Sequence, residues 1–431
     1  MGKVGVTHLK RQVGVTGAIF LGLGSILGTG IFVSIGLVAG VSGPTALIAV
    51  FLAGLLALCN AYSSAQLAAN YPTSGGSFEF GYQLISGTAG FTAGWMFLVA
   101  KSASAATAAL GVSGYSLGLM GWYRETWLIP LTIIVIVLVT AIVASGIRRT
   151  NMVNIVVVGI TLLSLGMFVV GGIPLFLEKG FTHWTPFWQY DDLSGSAIIS
   201  GMFHATALMF VAYTGYGRVA TLGEEITEPR KNLPKAIRIT LAVTVLIYAA
   251  VLIIAISTVG HHALYDAARG DTATLSAAAG QFGFPGSALL VGVGAVTAML
   301  GVLLNLILGL SRMVLAMSRR GHLPSVFTRI DSTTSTPIAA VVLIGGVVLL
   351  LSLLGDVYVT WSLSAFTVLI YYGITNWAAI LLPAGQRMYP EIFAWAGLAG
   401  CLFLAFWVEP VFWFWGLTLL LAGFIWYYFT K

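Results

Sequence analysis

Twelve apolar runs divide this 431-residue chain, and most are about as long as the roughly 20 residues that a helix needs to cross a bilayer. The runs are centred near residues 27, 57, 104, 136, 162, 208, 247, 300, 346, 370, 400 and 420. Only 8% of the residues are charged and 58% are hydrophobic, whereas soluble domains carry about 25% charge. These features predict an all-α polytopic membrane protein with about 12 transmembrane helices and no large soluble domain.

The basic residues orient these runs in the membrane. Fifteen of the 20 Lys and Arg residues lie in loops on the side of the N-terminus, three lie on the other side, and Lys101 and Arg218 lie inside spans. The positive-inside rule therefore predicts that both termini are cytoplasmic. The net charge of +6 then indicates loops that face anionic headgroups of the lipid bilayer, rather than binding of nucleic acid. Because no other targeting signal is apparent, we expect a multi-pass protein of the cell (plasma) membrane.

The first run contains three glycines, Gly24, Gly28 and Gly30, within seven positions. Each glycine costs a helix about 1 kcal/mol relative to alanine, and inside a membrane every backbone group released from the helix needs another partner. The stretch therefore predicts a helix that is broken at membrane depth, where bare backbone groups line a cavity or bind a ligand. Close helix packing through the Gly24-x-x-x-Gly28 spacing is the alternative.

A second glycine-rich break, at residues 213–217 in the sixth run, favours binding over packing. Breaks at corresponding places in two halves are a strong indication of a transporter site. Because each repeat would have five spans, an odd number, the second repeat must be inverted. The predicted organisation is a cytoplasmic N-terminus (1–14), a first five-helix repeat (15–172), an external loop (173–196), a second, inverted five-helix repeat (197–382), and helices 11 and 12 with the C-terminus (383–431).

Lys101 lies about ten residues into the third run, which places it about 15 Å deep, near the bilayer midplane. A lysine at that depth is costly unless it faces a cavity or a partner. The alternative is a side chain that extends along the helix to the interface. We expect Lys101 to control the transport cycle, either by gaining and losing a proton or as a fixed cation in the place of a sodium ion.

Together these features resemble the amino acid–polyamine–organocation (APC) superfamily of secondary transporters. The matching segments are 24–32, 71–78, 212–216, 224–230, 234–237 and 311–324. The resemblance implies a 5+5 inverted repeat with broken helices 1 and 6, two extra C-terminal helices, and an amino acid or related amine as substrate.

The chain also departs from that superfamily at three places. A glutamate that is common after the second break is replaced by Gly217 and Arg218, and the fifth run lacks the lysine of several ion-independent members. Thr297 and Asn305 are too far apart to form the hydroxyl pair of sodium-coupled relatives. Direct sodium coupling is therefore not expected.

The expected site surrounds the two breaks, where the resemblance implies alternating access. Free N–H groups at Gly28, Thr29 and Gly30 would hold the α-carboxylate at the positive end of a half-helix. Carbonyls at the facing half-helix ends would hold the α-ammonium, and aromatic rings would cover the side chain. The full expected substrate-binding set is Ser25, Ile26, Gly28, Thr29, Gly30, Phe210, Ala212, Tyr213 and Gly215. Because neither break contains an acidic residue, we expect a neutral amino acid, with a cationic amino acid, amine or polyamine as the alternative.

Three other classes remain as alternatives. A channel would also have broken helices but needs a selectivity motif, which is not visible, and an accessory subunit would share the fold. An enzyme would need a cluster of catalytic side chains, whereas His204 stands alone in its span. Cys59 and Cys401 lie in apolar runs and indicate neither a disulfide framework nor a metal site. We therefore expect no catalytic residues, cofactor, metal or obligate protein partner, and leave protons open as the coupling ion.

Two expectations concern the cytoplasmic side. The eighth run is expected to continue into an amphipathic interfacial helix, with His322 on the surface. Asn232 is expected to cap the seventh helix, with Pro234 in its first turn.

Overall fold

A computed structural model describes residues 14–71, 75–188, 195–217, 226–270 and 273–430; for residues 147–154, 229, 269 and 270 it describes only the backbone. Parts of the matching segments therefore lie outside the described residues, namely 72–74 and 224–225, as does Arg218.

Each of the twelve predicted runs is helical. We name the helices as spans one to twelve in chain order. Span one consists of Val15–Ile26, Thr29–Phe32 and Ser34–Ser42, and span six of Ser196–Tyr213 followed by the 3₁₀ turn Thr214–Tyr216. We call this change from α-helix to 3₁₀ turn the break of span six. The other spans are Ala46–Asn70, Gly87–Met120, Arg124–Ala144, Ile147–Lys179, Pro229–Gly270, Ser287–Arg319, Ile338–Ser352, Val357–Ile380, Ile392–Ala405 and Pro410–Thr430. Nine described helical stretches are long and apolar enough to cross a membrane; the inner part of span one, span nine and span eleven are shorter apolar helices.

The helix contacts follow the pattern of two related halves. Span three packs against span ten, and span eight packs against span five; span one packs against span seven, and span six packs against span two. Adding five to both span numbers of the first pair, and counting on from ten to one, gives the second pair: three and ten become eight and five, and one and seven become six and two. Spans three and eight, which this relation exchanges, pack against each other, as do spans two and seven. This pairing is what a five-plus-five repeat produces, and the all-α polytopic fold is confirmed.

Exposure separates the lipid-facing helices from the central ones. Spans four, five and twelve carry large apolar side chains that are largely exposed in the isolated protein, such as Leu163, Leu177 and Phe429. Such a surface is stable only against hydrocarbon or another protein. Spans three and ten are mostly buried and carry many small and hydroxyl side chains on their buried faces. The polar interior of the protein therefore lies along these two helices, beside the breaks in spans one and six.

The two cytoplasmic expectations are wrong in the structure. Span eight runs unbroken to Arg319 and is followed only by the 3₁₀ turn Ser325–Thr328. His322 is only 6% exposed, because it packs against Tyr82, whose hydroxyl bonds its Nε2. Span seven begins at Pro229, so Asn232 lies inside the helix and donates to the Thr227 carbonyl at 2.5 Å. The earlier proline is well suited to start the helix, since its fixed φ is helical and it has no N–H to satisfy.

Candidate substrate site between the broken helices

The break in span one falls where the glycine pattern predicts it. The first helical segment ends at Ile26, Leu27 and Gly28 are extended, and a new helical turn begins at Thr29. The first N–H groups of a helical segment have no acceptor within it. The Thr29 hydroxyl is also buried, with the residue 2% exposed, and has no hydrogen-bond partner among the described residues. Because buried polar atoms are nearly always paired, this hydroxyl is a candidate ligand-binding group.

Glycine at the breaks also serves close packing. A Cβ atom on Gly28 would lie 2.3 Å from Val302 Cγ2 of span eight, and one on Gly30 would lie 2.5 Å from Ala212 Cβ of span six. A Cβ on Gly215 would lie 2.2 Å from the Ser25 carbonyl oxygen. The two breaks therefore touch directly, and the packing explanation accounts for these glycines as well as the binding one.

The predicted aromatic residues of span six are buried and already engaged. The Tyr213 hydroxyl donates to the Val50 carbonyl of span two at 3.1 Å. The Phe210 ring packs edge-on against Tyr372 of span ten, with 5.8 Å between ring centroids. Both side chains therefore form part of the wall that connects the break of span six to spans two and ten.

Tyr248 of span seven joins the two breaks and was not predicted from the sequence. Its hydroxyl lies 3.0 Å from the Ile26 carbonyl oxygen and 3.2 Å from that of Ala212. These are two of the carbonyls expected to hold the substrate's ammonium group. A hydroxyl carries one proton and donates it to one acceptor at a time, so both carbonyls retain capacity for another donor. The only sequence signal was a single phenol amid the aliphatic residues of the seventh run.

Lys101 reaches the break of span six. The residue is 7% exposed, and its Nζ donates to the Thr214 hydroxyl at 2.6 Å. That hydroxyl donates in turn to the Val211 carbonyl at 2.6 Å, and the Tyr372 hydroxyl donates to the Thr214 carbonyl at 3.3 Å. The ammonium thus ends inside the helix bundle rather than at a membrane interface, as it would if the side chain extended along its helix. Among the described residues, no carboxylate forms an ion pair with it.

The structure brings the predicted residues together in one buried region. Gly28, Thr29, Gly30, Phe210, Ala212 and Tyr213 are buried, whereas Ser25 and Gly215 are half-buried. Neither break contributes an acidic side chain. The arrangement offers backbone N–H and carbonyl groups, the Thr29 hydroxyl and the Lys101 cation, which are groups that recognise a small zwitterion.

A bundle of this topology, in which one helix is broken and a second changes from α to 3₁₀ at a facing position, is typical of a secondary transporter. The family model described as amino acid permease matches residues 17–431, and the chain belongs to that family. It is therefore a multi-pass membrane protein of a transporter family.

Several relatives match most of the chain. It is 35% identical to an uncharacterized transporter of Mycobacterium tuberculosis, over 93% of this chain and 86% of the relative. It is 29% identical to a branched-chain amino acid permease of Bacillus subtilis, over 91% of this chain and 85% of the relative. A mitochondrial cationic amino acid transporter of Arabidopsis thaliana is 26% identical over 79% of this chain and 57% of the relative.

Proposed function

We propose that this protein is a secondary active transporter that moves neutral amino acids across the plasma membrane by alternating access, with both termini in the cytoplasm. The observation that carries the proposal is the direct contact between two broken helices, which leaves backbone groups and the Thr29 hydroxyl around one buried centre. The family and the name of the Bacillus relative support amino acids as the substrate class. The cytoplasmic termini rest on the charge bias of the loops.

In this proposal the substrate's carboxylate binds the first N–H groups of the Thr29–Phe32 turn and the Thr29 hydroxyl. Its ammonium group binds the carbonyls of Ile26 and Ala212 beside the Tyr248 hydroxyl. The carboxylate thereby meets the positive end of a helical segment, and the ammonium meets the negative ends. The side chain lies towards Phe210.

A neutral side chain fits this centre better than a cationic one. Neither break supplies a counter-ion, and the Lys101 ammonium lies one hydrogen bond from the break of span six, at Thr214. Two like charges in a medium of low dielectric repel strongly. The Arabidopsis relative, which is named a cationic amino acid transporter, is the observation that favours the second candidate function.

Counterflow in proteoliposomes tests the function and its substrate class. Liposomes loaded with one unlabelled amino acid should accumulate labelled amino acid transiently and saturably, and a panel of neutral, cationic and polyamine substrates should rank neutral ones first. Accumulation driven only by arginine, lysine or polyamines would favour the second candidate. A flux that does not saturate and shows no counterflow would indicate a channel, and no flux with any substrate would refute the carrier.

Thr29→Val is the sharpest test of the site, because substitutions of Gly28 or Gly30 would also disturb packing. Valine is nearly isosteric with threonine, so the empty carrier should keep its thermal stability. Loss of one hydrogen bond to a charged ligand group, worth about 1.5–3 kcal/mol, should weaken substrate binding by roughly tenfold or more. Thr297→Val is a matched control, since that hydroxyl lies on span eight and bonds only its own helix. Equal affinity in wild type and Thr29→Val would remove Thr29 from the site.

The role proposed for Lys101 is control of the transport cycle, either as a proton carrier or as a fixed cation. An imposed pH gradient separates the two. Gradient-driven accumulation that disappears in Lys101→Ala supports the proton role, whereas gradient-independent exchange that Lys101→Ala impairs supports the fixed cation. Wild-type behaviour of Lys101→Ala under both conditions would refute both.

A further inference from the structure

Two hydroxyl pairs connect spans three and ten directly beside Lys101. Ser104 Oγ lies 2.8 Å from Ser364 Oγ, and Thr107 Oγ1 lies 2.7 Å from Thr360 Oγ1. All four side chains are buried. Each pair can hold its hydrogen bond in either direction, because every hydroxyl both donates and accepts.

The register of the two helices extends this row to Lys101. As the residue numbers rise from Ser104 to Thr107 on span three, their partners fall from Ser364 to Thr360, so the helices are antiparallel. Lys101 precedes Ser104 by three residues and the buried Thr367 follows Ser364 by three, so each lies on the same face of its helix, one turn further along. Residues three apart on one helix are about 4.5 Å apart along its axis. One water molecule or a side-chain rotation bridges this gap between successive hydroxyl groups.

The other end of the row reaches the surface at Asp356. The Thr360 hydroxyl also lies 3.1 Å from the Asp356 backbone carbonyl, and the Asp356 carboxylate caps span ten by accepting the N–H of Tyr358 at 2.7 Å. Asp356 is half-buried and lies at the end of span ten opposite to the basic loops. The buried hydroxyl groups therefore begin one helical turn inside the half-buried Asp356 and continue along spans three and ten towards Lys101.

We propose that this row, Asp356–Thr360–Thr107–Ser104–Ser364–Thr367, conducts protons between the non-basic face of the membrane and Lys101. It rests on the proposed carrier function and gives the proton role of Lys101 its route. A proton from water at the Asp356 end binds the first hydroxyl oxygen, and each hydroxyl passes its own proton to the next oxygen. The last proton binds the lone pair of a neutral Lys101 amine, which becomes the ammonium that hydrogen-bonds Thr214. One proton enters and one is held, so the step balances.

The surroundings of Lys101 are compatible with such a change of charge. The titratable side chains that the structure places around Thr214, the hydrogen-bond partner of Lys101, are phenols: Tyr372 donates to the Thr214 carbonyl, Tyr371 packs on Tyr372, and Tyr216 lies in the same turn. Phenols are neutral at physiological pH. Among the described residues no acidic or basic side chain pairs with the lysine, and Arg218 lies outside them. The protonation of Lys101 therefore changes the net charge of this part of the bundle.

The alternative explanation is that the hydroxyl pairs only hold spans three and ten together, as polar side chains do between membrane helices. The chain contains a matched control for it. Ser113 and Thr132 form the same kind of pair between spans three and four, with 2.8 Å between their oxygens. This pair lies two turns beyond Thr107 and is not part of the row.

The experiment measures proton flux and counterflow separately in the same proteoliposomes, with a pH-sensitive dye inside and labelled amino acid outside. The tested variants are Thr107→Val and Thr360→Val, with Thr107→Ser as the rescue and Thr132→Val as the control. Positioned proton-transfer groups contribute roughly 10²–10⁴ in rate, so substrate-linked proton flux should fall about tenfold or more in the valine variants. Counterflow should stay within about twofold of wild type, Thr107→Ser should restore the proton flux, and Thr132→Val should change neither.

Two outcomes overturn the row as a proton route. One is wild-type proton flux in both valine variants while Lys101→Ala abolishes it. The other is an equal loss of counterflow and proton flux in Thr107→Val and Thr132→Val, which would indicate a packing role. A wild-type protein that shows counterflow without proton flux also refutes the row but leaves the carrier intact. Only a wild-type protein without counterflow of any amino acid refutes the carrier itself.

Discussion

Lys101 in the bundle interior and Arg320 at the C-terminal end of span eight are held in opposite ways. Arg320 donates to both carboxylate oxygens of Glu79, at 2.8 and 2.6 Å, and its guanidinium stacks over the Tyr82 ring. Among the described residues, the hydrogen-bond partner of Lys101 is a neutral hydroxyl at the break of span six. A cation that is matched by a carboxylate is fixed in charge and position. A buried cation on a neutral hydroxyl is free to change its charge or its partner, and this is why we assign transport to Lys101 and stability to Arg320.

The largest expected effect is that of Lys101→Met on transport. Methionine keeps most of the side chain's length and removes its charge, so gradient-driven uptake should fall by about tenfold or more while the protein stays folded. The thermal midpoint in detergent should change little or rise, because a buried charge without a carboxylate is costly to desolvate. A large fall in the thermal midpoint with unchanged transport per folded molecule would mean that Lys101 serves stability and not transport.

Arg320→Met should have the opposite effect. It leaves the Glu79 carboxylate, whose side chain is 11% exposed, without its partner. An unpaired buried polar group costs about 1–3 kcal/mol, so the free energy of unfolding should fall by that amount. Thermal melts in detergent measure this loss. Substrate affinity of the folded variant is the second measurement, and it should stay close to that of wild type. Glu79→Gln combined with Arg320→Met should recover part of the loss, and a double variant no better than Arg320→Met would contradict the pairing.

Tyr248→Phe tests whether the carbonyls of Ile26 and Ala212 in the bundle interior bind the substrate. Removing the hydroxyl leaves the Ile26 and Ala212 carbonyls without their donor, at a cost of about 1–3 kcal/mol in the empty carrier. If the substrate's ammonium binds the same carbonyls, saturating substrate should stabilise Tyr248→Phe more than it stabilises wild type. Thermal shifts with and without substrate measure this difference. A smaller ligand-induced shift in the variant would mean that the hydroxyl itself contacts the substrate.

The smallest expected effect is a pH dependence of stability that arises from His322, just after the C-terminal end of span eight. Burial and, secondarily, the nearby Arg320 lower the pKa of His322 below its usual value. Its neutral ring is therefore favoured in the folded protein, and stability should be full above the unfolded pKa of about 6.5 and fall as the pH drops below it. Burial also raises the pKa of the neighbouring Tyr82 to about 12, so that phenol stays neutral over this range. Melts between pH 5 and 8 should show a slope that His322→Gln removes; an unchanged slope would exclude His322.

The sequence predicted what one helix encodes and missed what several helices encode together. The apolar runs gave the spans, and the glycines located the break at Leu27 and Gly28, because a helix interior at membrane depth tolerates few exceptions. The position of Lys101 in its run predicted a cavity or a partner for its side chain, and the structure supplies a partner inside the bundle. The identity of this partner, Thr214, could not be predicted, because the rotation of span three relative to span six is set by packing.

Tyr248 and His322 are two residues whose environments the sequence did not predict, because their partners come from distant elements of the chain. A phenol in the middle of an aliphatic run looks like any interior aromatic until the neighbouring carbonyls of span one and span six are placed. His322 follows two arginines and was therefore expected on the surface. Tyr82 and the Trp426 indole, which donates to the His322 carbonyl at 2.7 Å, instead cover it from elements far away in the sequence.

The two ends of span one differ in how firmly they are held, and this difference has a dynamic consequence. Ser34–Ser42 is buried at every position but Val41, whereas Val15–Ile26 has three exposed positions in its first half, at Thr16, Gly17 and Phe20. Local opening is cheapest where few buried contacts are broken. The amide hydrogens of Val15–Ile26 should therefore exchange with solvent before those of Ser34–Ser42. Local opening of span one is then expected first at its N-terminal segment, on the side of the basic loops, while the opposite end stays closed.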